Sequence, residues 1–320
     1  MEASLGSLRR PSLLAGLCAV LALGPAGASS AAPRTEILLS EPLVFPENIA
    51  STGDGAVYMG SLTKPTIYRA LPHATTATPW IHLSGEGVIT SLGVLADAKS
   101  NTLWVCALQT APDPKTPGPR STLRSFNLKT GDPTGSYPLP GERTVCNDIA
   151  VGPDGAVYAN DSPNGRLLRL NRKTGMLEIW LEEKPALDGI DGTTFLGNTL
   201  YVNSVLSGHV YRVPIGRDGK PGPLVDIKLS QPLDRPDGMR AAGGVVFVAE
   251  NRGNRVSMLR FKGDAATVTV LKEGLMTPTG ITPTGKLLWI NESRMTYLRD
   301  PALKGKDPGP FTATAIPMPK

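Results

Sequence analysis

A strand-turn-strand unit returning at intervals mostly in the forties, a near absence of helical periodicity and a turn-rich composition predict an all-β protein, a six-bladed β-propeller. The chain carries 35 glycines and 30 prolines in 320 residues with 5% aromatics, the make-up of a globular chain full of turns. The unit is clearest in VCNDIAVGPDGAVYANDS, residues 145–162. Pro153, Asp154 and Gly155 make its turn: proline presets φ at the first corner, Asp bonds its own backbone, and Gly accepts the positive φ that closes it. Related segments begin at Pro46, Thr90, Cys146, Leu187, Pro236 and Thr279. Aligned on their first polar residue, Glu47, Ser91, Asn147, Asp188, Asp237 and Thr279 follow one another at 44, 56, 41, 49 and 42 residues. Repeated strand pairs at that spacing signal four-stranded propeller blades.

Further strands complete the blades at 66–71, 121–128, 165–171, 208–214 and 254–261, with an outermost strand at 176–182. The Pro-rich stretch 111–120 is expected as an exposed loop of the second blade. Segments 36–43 and 311–319 are expected to share one blade, tying the two ends of the ring together and covering an edge.

Residues 1–32 have the form of a signal peptide: Arg9-Arg10, an apolar run over 13–23, and small residues over 26–32. The run is too short to span a bilayer. The expectation is therefore one exported domain, 33–320, periplasmic or secreted, with no membrane attachment after cleavage. Net charge is +5, or +4 without Arg9, Arg10 and Glu2. The basic residues are scattered, with no stripe interleaved with aromatics, which argues against a nucleic-acid partner. In an oxidising compartment Cys106 and Cys146 either pair or stay as small buried hydrophobes. Without a CxxC, and with only His73, His82 and His209 as histidines, a thiolate metal centre has little support.

In a propeller the inner strands line a central channel, so equivalent positions at their leading ends converge on the axis. Glu47, Asn147, Asp188 and Asp237 would place three carboxylates and an amide there, a set that repels itself without a cation. Oxygen-only donors suit a hard divalent ion, Ca²⁺ first, then Mg²⁺ or Mn²⁺, with Zn²⁺ disfavoured by the lack of aligned His or Cys. Turn formation alone explains any single Asp or Asn at a strand start, but Glu is not a turn residue. A second ring at the ends of the next strands (Ser61, Ala107, Asn160-Asp161, Asn203, Glu250-Asn251, Asn291-Glu292) is expected to hydrogen-bond the first. No G-x-S-x-G turn is present, so the pairing of Ser207 with His209 does not make a serine-nucleophile site.

The P-E-N at 46–48, the N-D at 147–148 before a P-D-G hairpin, and the P-D-G-M at 236–239 resemble the gluconolactonase family that includes regucalcin (senescence marker protein), a relative of paraoxonases and strictosidine synthases. The resemblance covers nearly all of the chain from Glu36 onward. It implies a divalent-metal-dependent hydrolase, a lactonase or carboxylic ester hydrolase, acting on a small lactone or ester. Carried over, Glu47 matches a glutamate ligand, and Asp188 stands where the family usually has an asparagine ligand. Asp237 matches a metal-binding aspartate proposed as general base. Asn147 contacts substrate or metal-bound water, and Asp148 beside it is a second candidate base. Val145 stands where sugar-lactone members often place an arginine, so a sugar-acid lactone loses its usual basic contact. The competing expectations are a non-catalytic propeller that binds a ligand or protein, and a strictosidine-synthase-like enzyme.

Overall fold

The computed structural model describes residues 1–3, 34–85, 87–110 and 118–319. The expected leader and most of the Pro-rich loop lie outside the described residues. Residues 34–320 form one compact unit, whose described residues are nearly all strand, with one four-residue helix, Thr296–Arg299, and two 3₁₀ turns among them. Among the described residues no helix is long and apolar enough to cross a membrane.

The third blade shows how the sequence makes each unit. Cys146–Val151, Val157–Asp161, Arg166–Asn171 and Met176–Glu182 form an antiparallel meander. At its first turn Gly152 N–H donates to Ala156 O at 2.8 Å, Ala156 N–H donates to Asp154 Oδ1 at 3.0 Å, and Gly155 has φ 80°. The inner strands of successive blades are Pro46–Ser51, Val88–Asp97, Cys146–Val151, Ile190–Leu196, Pro236–Ala242 and Pro278–Thr284. Each packs along the next, and the last packs along the first. That closed succession is a β-propeller ring, with the leading ends of the inner strands around its axis.

The ends close as expected. Glu36–Leu39 pairs antiparallel with Thr312–Pro317, which pairs with Leu287–Glu292 of the last blade. Fully buried Ile37, Trp289 and Phe311 join Val44, Ile49 and Tyr68 of the first blade in one apolar cluster. The core therefore lies between facing blades, and each large side chain buried there contributes about 1.5–3 kcal/mol. Cys106 of the second blade and Cys146 of the third are bonded as a disulfide across such an interface, with Cα atoms 5.3 Å apart.

Candidate functional site

Every inner strand carries a register break at its leading end. The pairing jumps between Pro46 and Ile49, Ser91 and Val94, Cys146 and Ile149, Ile190 and Thr193, Pro236 and Met239, and Pro278 and Gly280. A β-bulge bends its strand and re-aims a side chain. The residues just after each break start are Glu47, Leu92, Asn147, Asp191, Asp237 and Thr279, and these are the equivalent ring positions. At four of the six bulges the following residue is glycine, for a steric reason. A Cβ on Gly93 would meet Asn147 O at 2.3 Å, on Gly192 Asp237 O at 2.4 Å, on Gly238 Thr279 O at 2.7 Å, and on Gly280 Ile49 N at 2.9 Å. At these four positions the neighbouring blade's backbone rests directly on the glycine.

This register corrects one expected site residue. Asp188 precedes its inner strand, with its side chain about half exposed and 3.5 Å from Lys184 Nζ; it does not reach the axis. Asp191, three residues on, is buried and takes a hydrogen bond of 2.6 Å from Asn147 Nδ2. Ser91 likewise gives way to Leu92: its hydroxyl is held between blades by Ser61 N–H at 3.0 Å and Thr66 O at 2.9 Å.

Glu47, Asp191 and Asp237 are each buried to about 5–6% exposure, and their charges oppose one another. Burial, then the charges of Asp237 and Asp148, hold the Glu47 carboxyl well above its usual range. Burial, then Asp237, Glu47 and Asp148, do the same to Asp191. Asp237 is pushed up to about 7 by burial, against the pull of hydrogen bonds from Asn251, Gly238 and Asp191. Asp191 and Asp237 thus share a hydrogen bond as a carboxyl pair, while Glu47 Oε2 is buried with no hydrogen-bond partner among the described residues.

Asp148, the second candidate base, is held in place on every side. It is fully buried and gripped at both oxygens by Arg240, Nη1 to Oδ2 at 2.8 Å and Nη2 to Oδ1 at 2.9 Å. Asn48 Nδ2 donates to Oδ1 at 3.2 Å and Thr193 N–H to Oδ2 at 2.9 Å. With every lone-pair direction engaged, Asp148 is a structural anchor under the ring and does not serve as a base. Removing one partner of such a buried pair costs about 3–5 kcal/mol. Arg240 was invisible to sequence reasoning, since a single arginine in PDGMRAA resembles the solvent-facing member of an alternating strand.

The expected second ring is present as bulge supports rather than as direct partners of the carboxylates. Asn160 Oδ1 accepts from Asn147 N–H at 3.0 Å and Asp148 N–H at 2.9 Å, and its Nδ2 donates to Asp191 O in the next blade. Asn203 repeats the pattern, accepting from Gly192 N–H at 3.0 Å and donating to Asp237 O at 2.7 Å. Asn291 donates to Pro46 O and Glu47 O, both at 3.0 Å, across the ring closure. Of this second ring, Asn251 is the described member that donates to a ring carboxylate, Asp237 Oδ2 at 3.1 Å. These amides satisfy bulge groups that the broken ladder leaves unpaired. Backbone strain gathers on the same rim: Phe45, Arg235 and Thr277 have φ of 45°, 54° and 50° immediately before three inner strands. Such conformations cost about 1–3 kcal/mol each and gather at functional sites.

The donor set fits a hard cation in its chemistry: three carboxylates, one of them with an orphaned buried oxygen, and an amide whose oxygen is left over. Among the described residues, no three His, Cys, Asp or Glu side chains are drawn to a common point close enough to hold an ion. His82 and His209 are exposed, and His209 pairs with Asp226 at 2.8 Å. No histidine acts on the ring carboxylates.

No protein-family model matches the chain, and no curated protein sequence matches it. Solved structures do. A luciferin-regenerating enzyme superposes with a TM-score of 0.63 at 11% identity over 87% of this chain and 92% of that one. A protein assigned as a gluconolactonase gives 0.62 at 16% identity over 91% and 93%. Virginiamycin B lyase from Staphylococcus aureus gives 0.58 at 15% identity over 88% and 98%. At these identities the likeness establishes the β-propeller fold.

Proposed function

We propose that this chain is an exported, divalent-metal-dependent hydrolase on a six-bladed propeller, with a lactone or carboxylic ester as its substrate. The observation that carries the reading is the placement of Glu47, Asp191 and Asp237 on equivalent bulges, buried together with their charges opposed. A ligand-binding scaffold has no use for carboxylates held at such a disadvantage, whereas a cation site does. Glu47, Asp191 and Asp237, with the Asn147 amide oxygen, would hold the ion, Ca²⁺ in preference to Mg²⁺, Mn²⁺ or Zn²⁺. When bound, the ion would polarise a substrate carbonyl and stabilise the oxyanion formed from it. The protein's own part is threefold. The amide supports fix the bulges, the Asp148–Arg240 pair braces the floor beneath them, and Asp237 accepts a proton from the attacking water. Residues 1–32 act as the export signal, and the Cys106–Cys146 disulfide suits an oxidising compartment.

The reading is tested by assaying purified mature protein, residues 33–320, on γ- and δ-lactones and aryl esters. Hydrolysis that disappears with chelator and returns with Ca²⁺ is expected. Hydrolysis insensitive to chelator, or an inactive protein that nonetheless binds Ca²⁺ tightly, favours another enzyme class or a binding propeller.

A further inference from the structure

We infer that the Arg240 guanidinium is a built-in axial cation, occupying a position that Asn48, Val94 and Asp148 would otherwise fill with a metal ion from solution. The groups around it come from three other blades and are all oxygens: both carboxylate oxygens of Asp148, Asn48 Oδ1 at 3.3 Å and Val94 O at 3.2 Å. Its own strand adds Met239 O at 2.7 Å. A carboxylate, an amide oxygen and two backbone carbonyls converging from different blades form a donor set for a hard cation. Here a delocalised, weakly hydrated, permanently charged group takes that place, the residue best suited to a buried ion pair. Arg240 is 7% exposed and Asp148 fully buried, so each charge needs the other.

Arg240 is accordingly a positioning residue. Through Asp148 it fixes Thr193 N–H, one residue beyond the Asp191-Gly192 bulge, and through Asn48 it fixes the residue next to Glu47. The consequence is a protein with no second cation on its axis. The inference does not require that the carboxylate ring above hold an ion.

The test compares wild type with Arg240→Met, which keeps a flexible side chain and removes the charge, and with Asp148→Asn/Arg240→Met, which removes both charges. In chelator the single variant should melt roughly 8 °C below wild type, from leaving a buried carboxylate alone, and the double variant should recover most of that loss. Titrated with Ca²⁺ alone, Arg240→Met should bind one equivalent more than wild type and regain its melting temperature, and the double variant should gain no ion. A purely structural role for Arg240 would move the melting temperature but not the ion count. If Arg240→Met takes up no additional Ca²⁺, or if the double variant is no more stable in chelator than the single one, the inference is overturned. Should Arg240→Met be unfolded in chelator, its folding on addition of Ca²⁺ reads the same uptake, and failure to fold with Ca²⁺ overturns the inference equally. A wild type that binds no Ca²⁺ beside an Arg240→Met protein that binds one would sink the metal-hydrolase reading and leave this one standing.

Discussion

Asp191→Asn should lower Ca²⁺ affinity and lactone or ester hydrolysis by 100-fold or more, while Asp188→Asn changes each by less than twofold. Outer-shell partners of a metal already cost about 10–100-fold when removed, and a direct ligand costs more. The two aspartates sit three residues apart in LDGIDGTT, each followed by glycine, so composition and local context are matched and only geometry separates them. Asp191 is buried and bonded to Asn147; Asp188 is half exposed beside Lys184. Asparagine at 191 keeps an oxygen donor and the shape of the side chain, so folding should survive. It also removes one of the opposed charges, and the metal-free variant should be at least as stable as wild type. Equal loss of activity from both substitutions would place the ring elsewhere.

Replacing both disulfide cysteines, Cys106→Ala with Cys146→Ala, should cost about 4 kcal/mol, the chain-entropy value for closing a loop of this length, across a sequence separation of 40. Alanine is the right replacement, because both cysteines are fully buried among Leu92, Trp104 and Ile149 and serine would add two buried hydroxyls. For a domain of this size the loss corresponds to roughly 8–16 °C in melting temperature. Thermal unfolding of the variant beside oxidised and reduced wild type checks it. The reduced wild type should fall toward the variant, and an alanine pair as stable as the oxidised protein would contradict the expectation. The bridge also joins the strand that carries Asn147 to its neighbouring blade, so its loss should slacken the ring as well as the fold.

The fold was legible because a blade is a local object. The Pro153-Asp154-Gly155 turn, the strand pairs and their spacing are all contained in runs of about twenty residues, and the sharing of the last blade by both chain ends follows from the need to cover an edge. Glu47, Asn147 and Asp237 were legible for the same reason: each is the first polar residue of its inner strand. Asp191 was missed because the fourth segment offers Asp188-Gly189 before Asp191-Gly192, and alignment on the first acid chose the wrong pair. A better signal was present. Glycine follows the ring position in Leu92-Gly93, Asp191-Gly192, Asp237-Gly238 and Thr279-Gly280, because a neighbouring backbone lies where a Cβ would be. Arg240 and the role of Asp148 were not legible at all. Their contact spans 92 residues, and nothing in either strand marks the other as its partner.

Opposed carboxylates make stability depend on both pH and cation, and the sign is fixed. Glu47, Asp191 and Asp237 hold protons in the folded chain that the unfolded chain releases above about pH 4. Cation-free stability is therefore full near pH 4 and falls as pH rises through 7. A bound dication displaces those protons, so its stabilisation should grow over the same range. The most direct measurement is the melting temperature of the mature protein in chelator and in saturating Ca²⁺ from pH 5 to pH 8. The expected result is a chelator curve that declines with pH and a Ca²⁺ increment that widens to about 6 °C or more at pH 8, for Ca²⁺ at about 100 times its dissociation constant. Coincident curves at pH 8, or an increment that does not change with pH, would contradict a cation site built from these carboxylates.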